Sequence, residues 1–306
     1  MKTYLITGVT GFLGSKLAMS LLNSNCKVVG IGRSEKHPDI LECSEHKHFQ
    51  YIRGEISDSI LAKLNNIEIS GIFHLASQLP NKPYLNYEDY YRGNVSSTLH
   101  LIKYFKDKKI DFFTYTSTGS VFGKNKNDTI DESSVPEPTN YYGLTKYIAE
   151  KALEIESVNF QTNVIVIRFQ SIFGKGDRYG IVSSLYKQFK RNEDVELYSK
   201  GNVFRNLISV EDAIEILESI VQRHKDLSKF ELFHAGGKNS IKTLDIALLI
   251  KKNLQSNSNI VLSDKKSIYD WDVFVNISKA QKKLNFQPHS IEEGINKYLN
   301  QLKIEV

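Results

Sequence analysis

The 306-residue sequence has few of the residues that cross-link small secreted domains or hold structural metals. Its two cysteines, Cys26 and Cys43, form no C-x-x-C motif and have no neighbouring His-x-x-x-His pair. Neither a disulfide framework nor a zinc site is therefore expected, and no metal site is predicted.

The sequence also lacks long apolar runs and long runs of one charge. No apolar stretch approaches the ~18 residues of a membrane helix, and the apolar N-terminus runs into a glycine turn without a signal-peptide cleavage pattern. The net charge of +5 comes from 40 basic and 35 acidic residues spread along the chain. Lysine runs such as Lys106–Lys109 are too short for a nucleic-acid tail. We expect a cytoplasmic protein that binds neither nucleic acid nor membrane.

The remaining composition is that of an ordinary globular enzyme of one or two domains, with 41% hydrophobic and 25% charged residues. In the first half, short apolar runs alternate with amphipathic helical stretches. This alternation is typical of a doubly wound parallel α/β sheet whose faces are covered by helices. The predicted strands are Thr3–Thr7, Lys27–Ile31, Phe49–Arg53, Gly71–Leu75, Asp111–Thr116 and Asn163–Arg168, and the predicted helices are Phe12–Asn23, Asn94–Lys106 and Tyr142–Ser157.

The alternation is less regular after Arg168. We therefore predict a first domain of residues 1–168, completed by part of 205–235, and a smaller α/β domain formed mainly by 169–306. The stretch Gly174–Asp177 predicts a turn. The later predicted helices are Ile181–Arg191, Val210–His224, Leu244–Asn253, Ser278–Leu284 and Ile291–Leu302, and the later strands are Val195–Tyr198 and Phe230–His234.

Three glycines, Gly8, Gly11 and Gly14, directly follow the first predicted strand and open the first helix. Glycines there allow a tight turn, close approach of the backbone to a pyrophosphate, and close packing of helix on strand. The helix N-terminus, at Phe12 and Leu13, offers N–H groups and a positive dipole end to the phosphates. Because the turn lies inside a βαβ unit, it predicts a Rossmann fold that binds a dinucleotide.

The end of the second predicted strand indicates which dinucleotide is bound. NAD-binding folds usually place an acidic residue there, on the ribose 2′-hydroxyl. Here Gly32 stands at that position, followed by Arg33 and Ser34. A guanidinium without a carboxylate favours a 2′-phosphate, so we expect NADP, with NAD as the alternative.

A hydroxyl-rich segment, Thr116–Ser120, follows the fifth predicted strand, and a Tyr-x-x-x-Lys motif comes later, at Tyr142 and Lys146. This spacing puts both side chains on one helical face, one turn apart. The ammonium can lower the pKa of the phenol and bind the nicotinamide ribose, while the Thr118 hydroxyl positions the substrate oxygen. We predict Thr118, Tyr142 and Lys146 as the catalytic residues.

Position in the chain selects this copy of the motif. Tyr142 opens the helix that follows the hydroxyl-rich segment. The other copies lie before the fifth strand, beyond the sixth strand, or further around the same helix. They are Tyr104/Lys108, Tyr186/Lys190 and Tyr147/Lys151.

Together these motifs resemble the extended short-chain dehydrogenase/reductase family, in its nucleotide-sugar epimerase/dehydratase/reductase branch. The resemblance covers nearly the whole chain. The segments that carry it, besides the catalytic pair, are Thr7–Gly14, Arg53–Asp58, His74–Ser77, Asn94, Arg168–Gly174, Arg205–Asp212, Ser278–Ala280 and Leu284–Pro288.

The resemblance implies roles for further residues. It implies cofactor contacts from residues after the third and fourth strands and at the start of the predicted helix Asn94–Lys106: Glu55, Ile56, Leu75, Ala76, Ser77 and Asn94. On the substrate side it implies Ser171, at a position where asparagine is frequent, and Arg205, whose family counterpart meets the diphosphate. Arg178 and Tyr198 are candidates for a diphosphate and a nucleobase. A nucleotide-diphosphate sugar is the implied substrate and a homodimer the implied assembly.

The resemblance leaves the reaction open between two chemistries. Dehydratases of this family carry an Asp-Glu pair after the catalytic threonine, and Gly119-Ser120 stand there instead. Because Gly32-Arg33 favour NADPH, we expect reduction of a nucleotide-linked 4-keto-6-deoxy sugar. The alternative is a nucleotide-sugar 4-epimerase with a retained cofactor. A non-catalytic NADP-binding regulator is the more remote alternative, since such proteins commonly lose the tyrosine or the lysine.

Overall fold

The structure, a computed structural model, describes residues 1–34, 40–124, 129–267 and 270–304. The chain divides into two compact units. The first unit contains Met1–Gly123, Pro136–Arg168 and Ile216–Phe233; the second contains Lys124–Val135, Phe169–Glu215 and His234–Val306. Each unit is therefore assembled from three separate segments of the chain.

The strands and helices are numbered in chain order. The strands are β1 (Thr3–Thr7), β2 (Lys27–Gly32), β3 (Phe49–Arg53), β4 (Gly71–His74), β5 (Phe112–Thr118), β6 (Thr129–Ile130), β7 (Asn163–Phe169), β8 (Ser171–Phe173), β9 (Val195–Leu197), β10 (Phe204–Arg205), β11 (Leu207–Ser209), β12 (Phe230–Ala235), β13 (Ile241–Lys242), β14 (Ile260–Leu262) and β15 (Phe274–Val275). The helices are α1 (Phe12–Asn23), α2 (Leu41–Ser44), α3 (Asp58–Leu61), α4 (Tyr87–Tyr90), α5 (Ser97–Phe105), α6 (Tyr141–Ser157), α7 (Ile181–Lys190), α8 (Val210–Arg223), α9 (Thr243–Leu254), α10 (Ser278–Leu284) and α11 (Ile291–Lys303).

A seven-stranded sheet organises the first unit, in the order β12-β7-β5-β4-β1-β2-β3. The pairs β1–β2, β2–β3, β1–β4 and β4–β5 are parallel. The chain order reverses between β1 and β4, which makes their carboxyl ends the switch point where such sheets bind ligands. The predicted doubly wound Rossmann sheet is confirmed.

Apolar strands and helices form the core of the first unit. α1 packs on β1 and β2, and α6 packs on β5 and α5. Because helices cover the sheet, β1, β4 and β5 are buried along nearly their whole length. The core includes Leu5, Val29, Ile72, Leu101, Phe113, Ala149, Leu153 and Val164.

The second unit contains two-stranded pairings and a helical core. β8 pairs with β11, β9 with β14, and β6 with β15, all parallel, while β10 and β13 are antiparallel. The pairing of β6 with β15 explains why Lys124–Val135 lies in this unit, although we predicted one domain through residue 168. The assignment of this unit to substrate binding stays a prediction.

The long predicted elements lie where expected, with shifts of one or two residues at their ends. The largest difference lies before α5. A six-residue π-helical turn, Tyr91–Ser96, precedes that helix, so helical structure starts before the predicted Asn94. Short helices such as α2 and α4 and strands of two residues were not predicted from the sequence.

Candidate active site

The glycine turn after β1 is so tight that two of its positions have no room for a side chain. Gly8 has a φ of +71°, and a Cβ there would lie 2.7 Å from the Ala76 backbone nitrogen. A Cβ at Gly14 would lie 2.3 Å from the Gly8 carbonyl oxygen. The turn therefore packs on the backbone that follows β4, where the predicted cofactor residues Leu75 and Ala76 lie.

The N-terminus of α1 completes this turn. Its N-cap is Gly11, which has no side chain to bond the N–H groups of the first turn. Phe12 and Leu13 begin the helix, and both are half-buried. A helix N-terminus without an acidic residue favours an anionic ligand, because N–H groups and the dipole are directed at it. The cradle that Gly8, Gly11 and Gly14 leave open therefore fits the diphosphate of a dinucleotide.

Packing excludes a carboxylate from the end of β2. A Cβ at Gly32 would lie 2.8 Å from the Thr10 side chain and 3.1 Å from the Tyr51 hydroxyl oxygen. The Tyr51 hydroxyl also donates a hydrogen bond to the carbonyl oxygen of Ser34. Thr10 and Tyr51 thus fill the space that an aspartate would need.

Arg33 lies beside a carboxylate. Its Nη1 is 3.9 Å from Oε1 of Glu55, and it donates a 3.4 Å hydrogen bond to the side-chain oxygen of Gln78. The Nε of Arg92 lies 4.0 Å from the same Glu55 oxygen. All three charged side chains are more than half exposed. The predicted 2′-phosphate ligand Arg33 therefore already has an anionic neighbour.

Ile56, another predicted cofactor residue, is buried in the core of the first unit.

The side-chain oxygen and the side-chain amide of Asn94 both form hydrogen bonds, and these bonds connect Ser77, Gln78 and Thr145. Its oxygen accepts hydrogen bonds from the Ser77 hydroxyl at 2.8 Å and from the Gln78 backbone N–H at 2.7 Å. Its amide donates to the Thr145 hydroxyl at 3.0 Å. The residue is fully buried in the π-helical turn. It therefore fixes Ser77, beside the glycine turn, relative to α6.

A chain of hydrogen bonds through His74 runs from the glycine turn to Asn94. The Ala76 N–H donates to Thr7 Oγ1 at 3.2 Å, and Thr7 Oγ1 lies 2.7 Å from His74 Nδ1. His74 Nε2 lies 3.0 Å from Thr98 Oγ1, which donates to the Asn94 carbonyl oxygen at 2.6 Å. Because that hydroxyl has one proton, His74 must donate through Nε2 and accept through Nδ1. Burial and nearby Lys146 hold the pKa of His74 well below its usual value, so this imidazole is neutral.

Tyr142 lies in the first turn of α6, close to the turn that follows β5. The N-cap of α6, Asn140, accepts a 2.8 Å hydrogen bond from the Gly143 N–H. A Cβ at Gly143 would lie 2.3 Å from the Ser120 carbonyl oxygen. This glycine therefore allows the close approach that puts the Tyr142 phenol in hydrogen-bonding contact with the Thr118 side chain.

Tyr142 has a high pKa in the ligand-free protein. Loss of solvent raises its pKa to about 12, and hydrogen bonds with Thr118 and Ser77 act in the opposite direction. Its ring centroid lies 6.5 Å from that of Tyr90. The phenol is therefore protonated at neutral pH. The lowering of its pKa by Lys146 stays a prediction.

Lys146 is buried one helical turn beyond Tyr142. Its ammonium lies 4.0 Å from the centroid of the Tyr115 ring. Loss of solvent lowers the pKa of Lys146 to about 7, and the Glu150 carboxylate opposes this shift. The side chain is therefore poised between its charged and neutral forms near neutral pH.

The motifs do not predict the buried ion pair of Glu150 and Arg168. The Arg168 Nη2 lies 2.7 Å from Glu150 Oε2, and its Nε lies 3.1 and 3.2 Å from the two carboxylate oxygens. The Arg168 guanidinium also lies 5.0 Å from the Phe122 ring centroid. Glu150 continues the four-residue spacing of Tyr142 and Lys146, a signal that is visible in the sequence. Its pairing with Arg168 depends on the fold.

Three predicted substrate residues are exposed in the second unit. Ser171 begins β8, Arg178 lies in the loop before α7, and Tyr198 follows β9. Two residues with positive φ come directly after Tyr198: Ser199 at 51° and Lys200 at 53°. The backbone there is strained for non-glycine residues, and such strain is common beside functional sites.

Arg205 is half-buried on β10. Its Nη1 donates a 3.2 Å hydrogen bond to the Trp271 carbonyl oxygen. Burial lowers its pKa, while the carboxylates of Asp272 and Asp270 act in the opposite direction. Arg205 is therefore oriented among acidic neighbours within its own unit. Its role towards a diphosphate stays a prediction.

In the described ranges, no helix combines the length and apolar character needed to cross a bilayer. No group of three or more His, Cys, Asp or Glu side chains in those ranges is arranged to hold a metal ion.

The chain is similar over nearly its whole length to known proteins. The profile of the NAD dependent epimerase/dehydratase family matches residues 4–236. A UDP-glucuronate 4-epimerase of Thermodesulfobacterium geofontis is 25% identical, over 98% of this chain and 96% of its own. A UDP-glucose 4-epimerase of Mycoplasma genitalium is 26% identical, over 92% and 90%.

A solved structure extends this similarity to three dimensions. It is the UDP-glucuronic acid 4-epimerase from Bacillus cereus in complex with UDP-glucuronic acid and NAD. Its chain is 26% identical, superposes with a TM-score of 0.88, and covers 99% of this chain and 100% of its own length. Since the family profile also spans most of the sequence, this protein belongs to the NAD dependent epimerase/dehydratase family.

Proposed function

We propose that this protein is a nucleotide-sugar 4-epimerase that works with a retained NAD. The observation that carries the proposal is the contact of the Tyr142 phenol with the Thr118 hydroxyl, one turn from buried Lys146. Similarity to 4-epimerases over nearly the full length of the chain favours this reaction over the 4-keto reduction that Gly32-Arg33 led us to expect.

The surroundings of Arg33 support NAD rather than NADP. A 2′-phosphate beside Arg33 would have the Glu55 carboxylate as an anionic neighbour, 3.9 Å from the guanidinium. The Bacillus cereus structure contains NAD. The residues that would hold the cofactor are Gly8, Gly11, Phe12, Leu13, Gly14, Arg33, Ser34, Glu55, Ile56, Leu75, Ala76, Ser77, Asn94, Tyr142 and Lys146. A bound NAD would supply an acceptor that takes up a hydride and later returns it.

The side chains supply the proton chemistry. For oxidation the Tyr142 phenol must first lose its own proton to solvent, with a charged Lys146 stabilising the phenolate. The phenolate then takes the proton of the 4-hydroxyl as the sugar C4–H bond breaks, and the Thr118 hydroxyl holds the oxygen that becomes a ketone. When the keto sugar is reduced again, Tyr142 returns the proton to the C4 oxygen, and inversion requires that the hydride held by a bound NAD would return to the opposite face of the sugar. Proton and hydride are thus both restored, and the net change is inversion at C4.

The residues after Thr118 argue against elimination of water. A 4,6-dehydratase needs an acid and a base beside the sugar. Gly119 and Ser120 occupy those positions and form a short 3₁₀ turn, Gly119–Phe122. Neither supplies a carboxylate, so oxidation at C4 leads back to an alcohol.

The second unit would hold the nucleotide. The Arg205 guanidinium suits a diphosphate, since its fork can bond two oxygens. Arg178 offers a second, exposed cation, Tyr198 an exposed ring for a base, and Ser171 a hydroxyl for the sugar.

A deuterium label tests the reaction. Purified protein is given UDP-glucose or UDP-glucuronate labelled with deuterium at C4, and the product is analysed by NMR and mass spectrometry. We expect inversion at C4 with the deuterium retained at C4 and no added cofactor consumed. Tyr142→Phe should lose at least ~100-fold in turnover, while Tyr147→Phe, the matched change in the neighbouring Tyr-x-x-x-Lys pair, should not.

Assays of the purified protein also distinguish the epimerase from the reductase alternative, which Gly32-Arg33 led us to expect. Stoichiometric oxidation of NADPH with a nucleotide-linked 4-keto-6-deoxyhexose, without inversion of any UDP-sugar, would replace the epimerase by a reductase. Cofactor binding unaffected by Tyr142→Phe, with no turnover of any nucleotide sugar by the wild type, would indicate the non-catalytic regulator.

A further inference from the structure

One face of α6 carries two buried charges next to each other. Tyr142, Lys146 and Glu150 follow at four-residue intervals, which places them on the same side of the helix. Lys146 and Glu150 are both almost fully buried. The next residue in this series, Glu154, is only half-buried and pairs with Lys151. The series of buried charged residues therefore ends at Glu150.

Arg168 fixes the orientation of Glu150. The two side chains are 4% and 2% exposed, and the guanidinium engages both carboxylate oxygens. Replacing a buried pair of this kind by apolar residues is often neutral or stabilising. Stability alone therefore gives no sufficient reason for a charged pair at this place.

We propose that Glu150, oriented by Arg168, is a positioning residue for the reaction, whose buried carboxylate keeps the neighbouring Lys146 in its charged form. The inference rests on the proposed function, which gives Lys146 and Tyr142 their roles. An ammonium one turn from Tyr142 stabilises a phenolate, whereas a neutral amine does not.

The other groups around Lys146 do not supply negative charge at neutral pH. From β5, the Tyr115 ring lies under the ammonium, and burial raises its pKa well above the usual value, so its phenol stays neutral. From β4, His74 is neutral. On α6 itself, Tyr142 is protonated in the ligand-free protein. Among the described residues, the Glu150 carboxylate is thus the anionic group that favours the charged lysine, in addition to the face of the Tyr115 ring, which attracts an ammonium.

Glu150 can decide whether Lys146 is mainly charged or mainly neutral, because the pKa of Lys146 lies close to neutral pH. Even with the carboxylate present, loss of solvent brings the pKa of Lys146 down to about 7. Without it, the neutral amine would dominate at neutral pH, and the uncompensated Arg168 would add repulsion.

The charge of Lys146 can be measured without any substrate. Protein labelled with ¹³C at the lysine ε-carbons is titrated by NMR, and the Lys146 signal is assigned with Lys146→Met. We expect Glu150→Gln to move the Lys146 midpoint to lower pH by at least about one unit. The matched change Glu154→Gln, on the same helix but only half-buried, should leave it in place. An unchanged midpoint in Glu150→Gln would overturn the proposal.

A second variant is needed because a lone buried Arg168 can prevent folding. Glu150→Gln combined with Arg168→Met removes both charges, and we expect a smaller shift in the same direction. If this folded double variant titrates like the wild type, Glu150 has no such role.

The pH profile of C4 inversion connects the charge to the reaction. A structural role alone would lower kcat equally at every pH. Loss of a charged Lys146 should instead move the alkaline limb of the Glu150→Gln profile to lower pH by the same amount as the NMR midpoint. A shifted midpoint in a protein that inverts no nucleotide sugar would support the coupling of Lys146 to Glu150 and count against the function proposed above.

Discussion

The side-chain amide of Asn94 donates a 3.0 Å hydrogen bond to the hydroxyl of Thr145, and both residues are fully buried. Thr145 precedes Lys146 on α6, and its hydroxyl in turn donates to the Tyr141 carbonyl oxygen at 2.7 Å. This contact joins the π-helical turn to the helix that carries Tyr142. The position of α6 therefore depends on a hydrogen bond from a residue outside this helix, Asn94.

Thr145→Val should weaken the protein because it leaves the Asn94 amide without this acceptor. We expect the free energy of unfolding in urea to fall by about 1–3 kcal/mol, the usual cost of an unpaired buried polar group. Thr114→Val is the matched control. Thr114 is also fully buried, but its hydroxyl has no hydrogen-bond partner among the described residues. That variant should be as stable as the wild type or more stable; equal losses in both would rule out the Asn94 contact as the cause.

Two alanine substitutions in the glycine turn should differ strongly. In Gly14→Ala, the new Cβ would lie 2.3 Å from the Gly8 carbonyl oxygen and 2.9 Å from the Val9 Cα. Backbone atoms must then move, so we expect a loss of about 2–3 kcal/mol in unfolding free energy and loss of NAD binding.

Gly11→Ala serves as the comparison. Its Cβ would lie 3.1 Å from the same oxygen, and its φ of −86° suits any residue. Stability should change by less than about 1 kcal/mol. Urea unfolding and NAD titration calorimetry measure both variants, and a Gly14→Ala protein as stable as Gly11→Ala would contradict the packing described here.

The buried Lys146 should make stability depend on pH. Its pKa is about 7 in the folded protein and 10.5 in an unfolded chain, so between these values the unfolded chain binds a proton that the folded protein does not. Unfolding free energy therefore rises with pH in this window, by roughly 2–3 kcal/mol between pH 7 and pH 9. The raised pKa of Tyr142 acts in the opposite direction, but above pH 10.

Lys146→Met should lose this rise. Urea unfolding of wild type and variant at pH 6, 7, 8 and 9 gives two curves, and their difference isolates Lys146 from the other titrating groups. Lys151→Met, exposed on the same helix, should run parallel to the wild type. Parallel curves for Lys146→Met would mean that the lysine keeps its ordinary pKa in the folded protein.

Glu55 should reduce the affinity for NADP through its neighbour Arg33. Removing its charge in Glu55→Gln frees the guanidinium for a 2′-phosphate, and we expect NADP affinity to rise by about two- to fivefold, as for an exposed ion pair. NAD affinity should not rise, because NAD has no 2′-phosphate, and it should fall to the extent that the Glu55 carboxylate itself holds the cofactor. Glu68→Gln is the control, because Glu68 precedes β4 at the opposite edge of the sheet from Glu55. Equal effects on both cofactors would show that Glu55 does not act through Arg33.

The sequence predicted the parts of the fold that depend on local pattern. The bounds of α1, β1 and β3 are as predicted, because glycines and apolar periodicity mark them. Strands of two residues have no such signal. β6, for example, forms only by pairing with β15, which lies far along the chain. The π-helical turn before Ser97 is likewise invisible to a search for regular helical spacing.

In the site, too, local motifs predicted individual residues but not the contacts between distant segments of the chain. The motifs led to Tyr142, Lys146 and Thr118, which the structure brings together. They could not give Arg33 its neighbours, Glu55 and Arg92, because these come from other segments of the chain. The preference for NADP, and with it for a reductase, came from Gly32 and Arg33 considered without these neighbours.

The interleaving of the two units has a consequence for synthesis of the protein. Backbone hydrogen bonds join Val164 to Lys229, and Gln170 to Ala235, so the outer edge of β7 is covered by β12. A nascent chain leaving the ribosome must produce the whole of Phe169–Glu215, which belongs to the other unit, before β12 exists. Until then β7 is an open edge strand that can pair with another chain. A fragment ending at Arg168 would keep that edge open permanently, so it should aggregate rather than fold as an independent cofactor-binding domain.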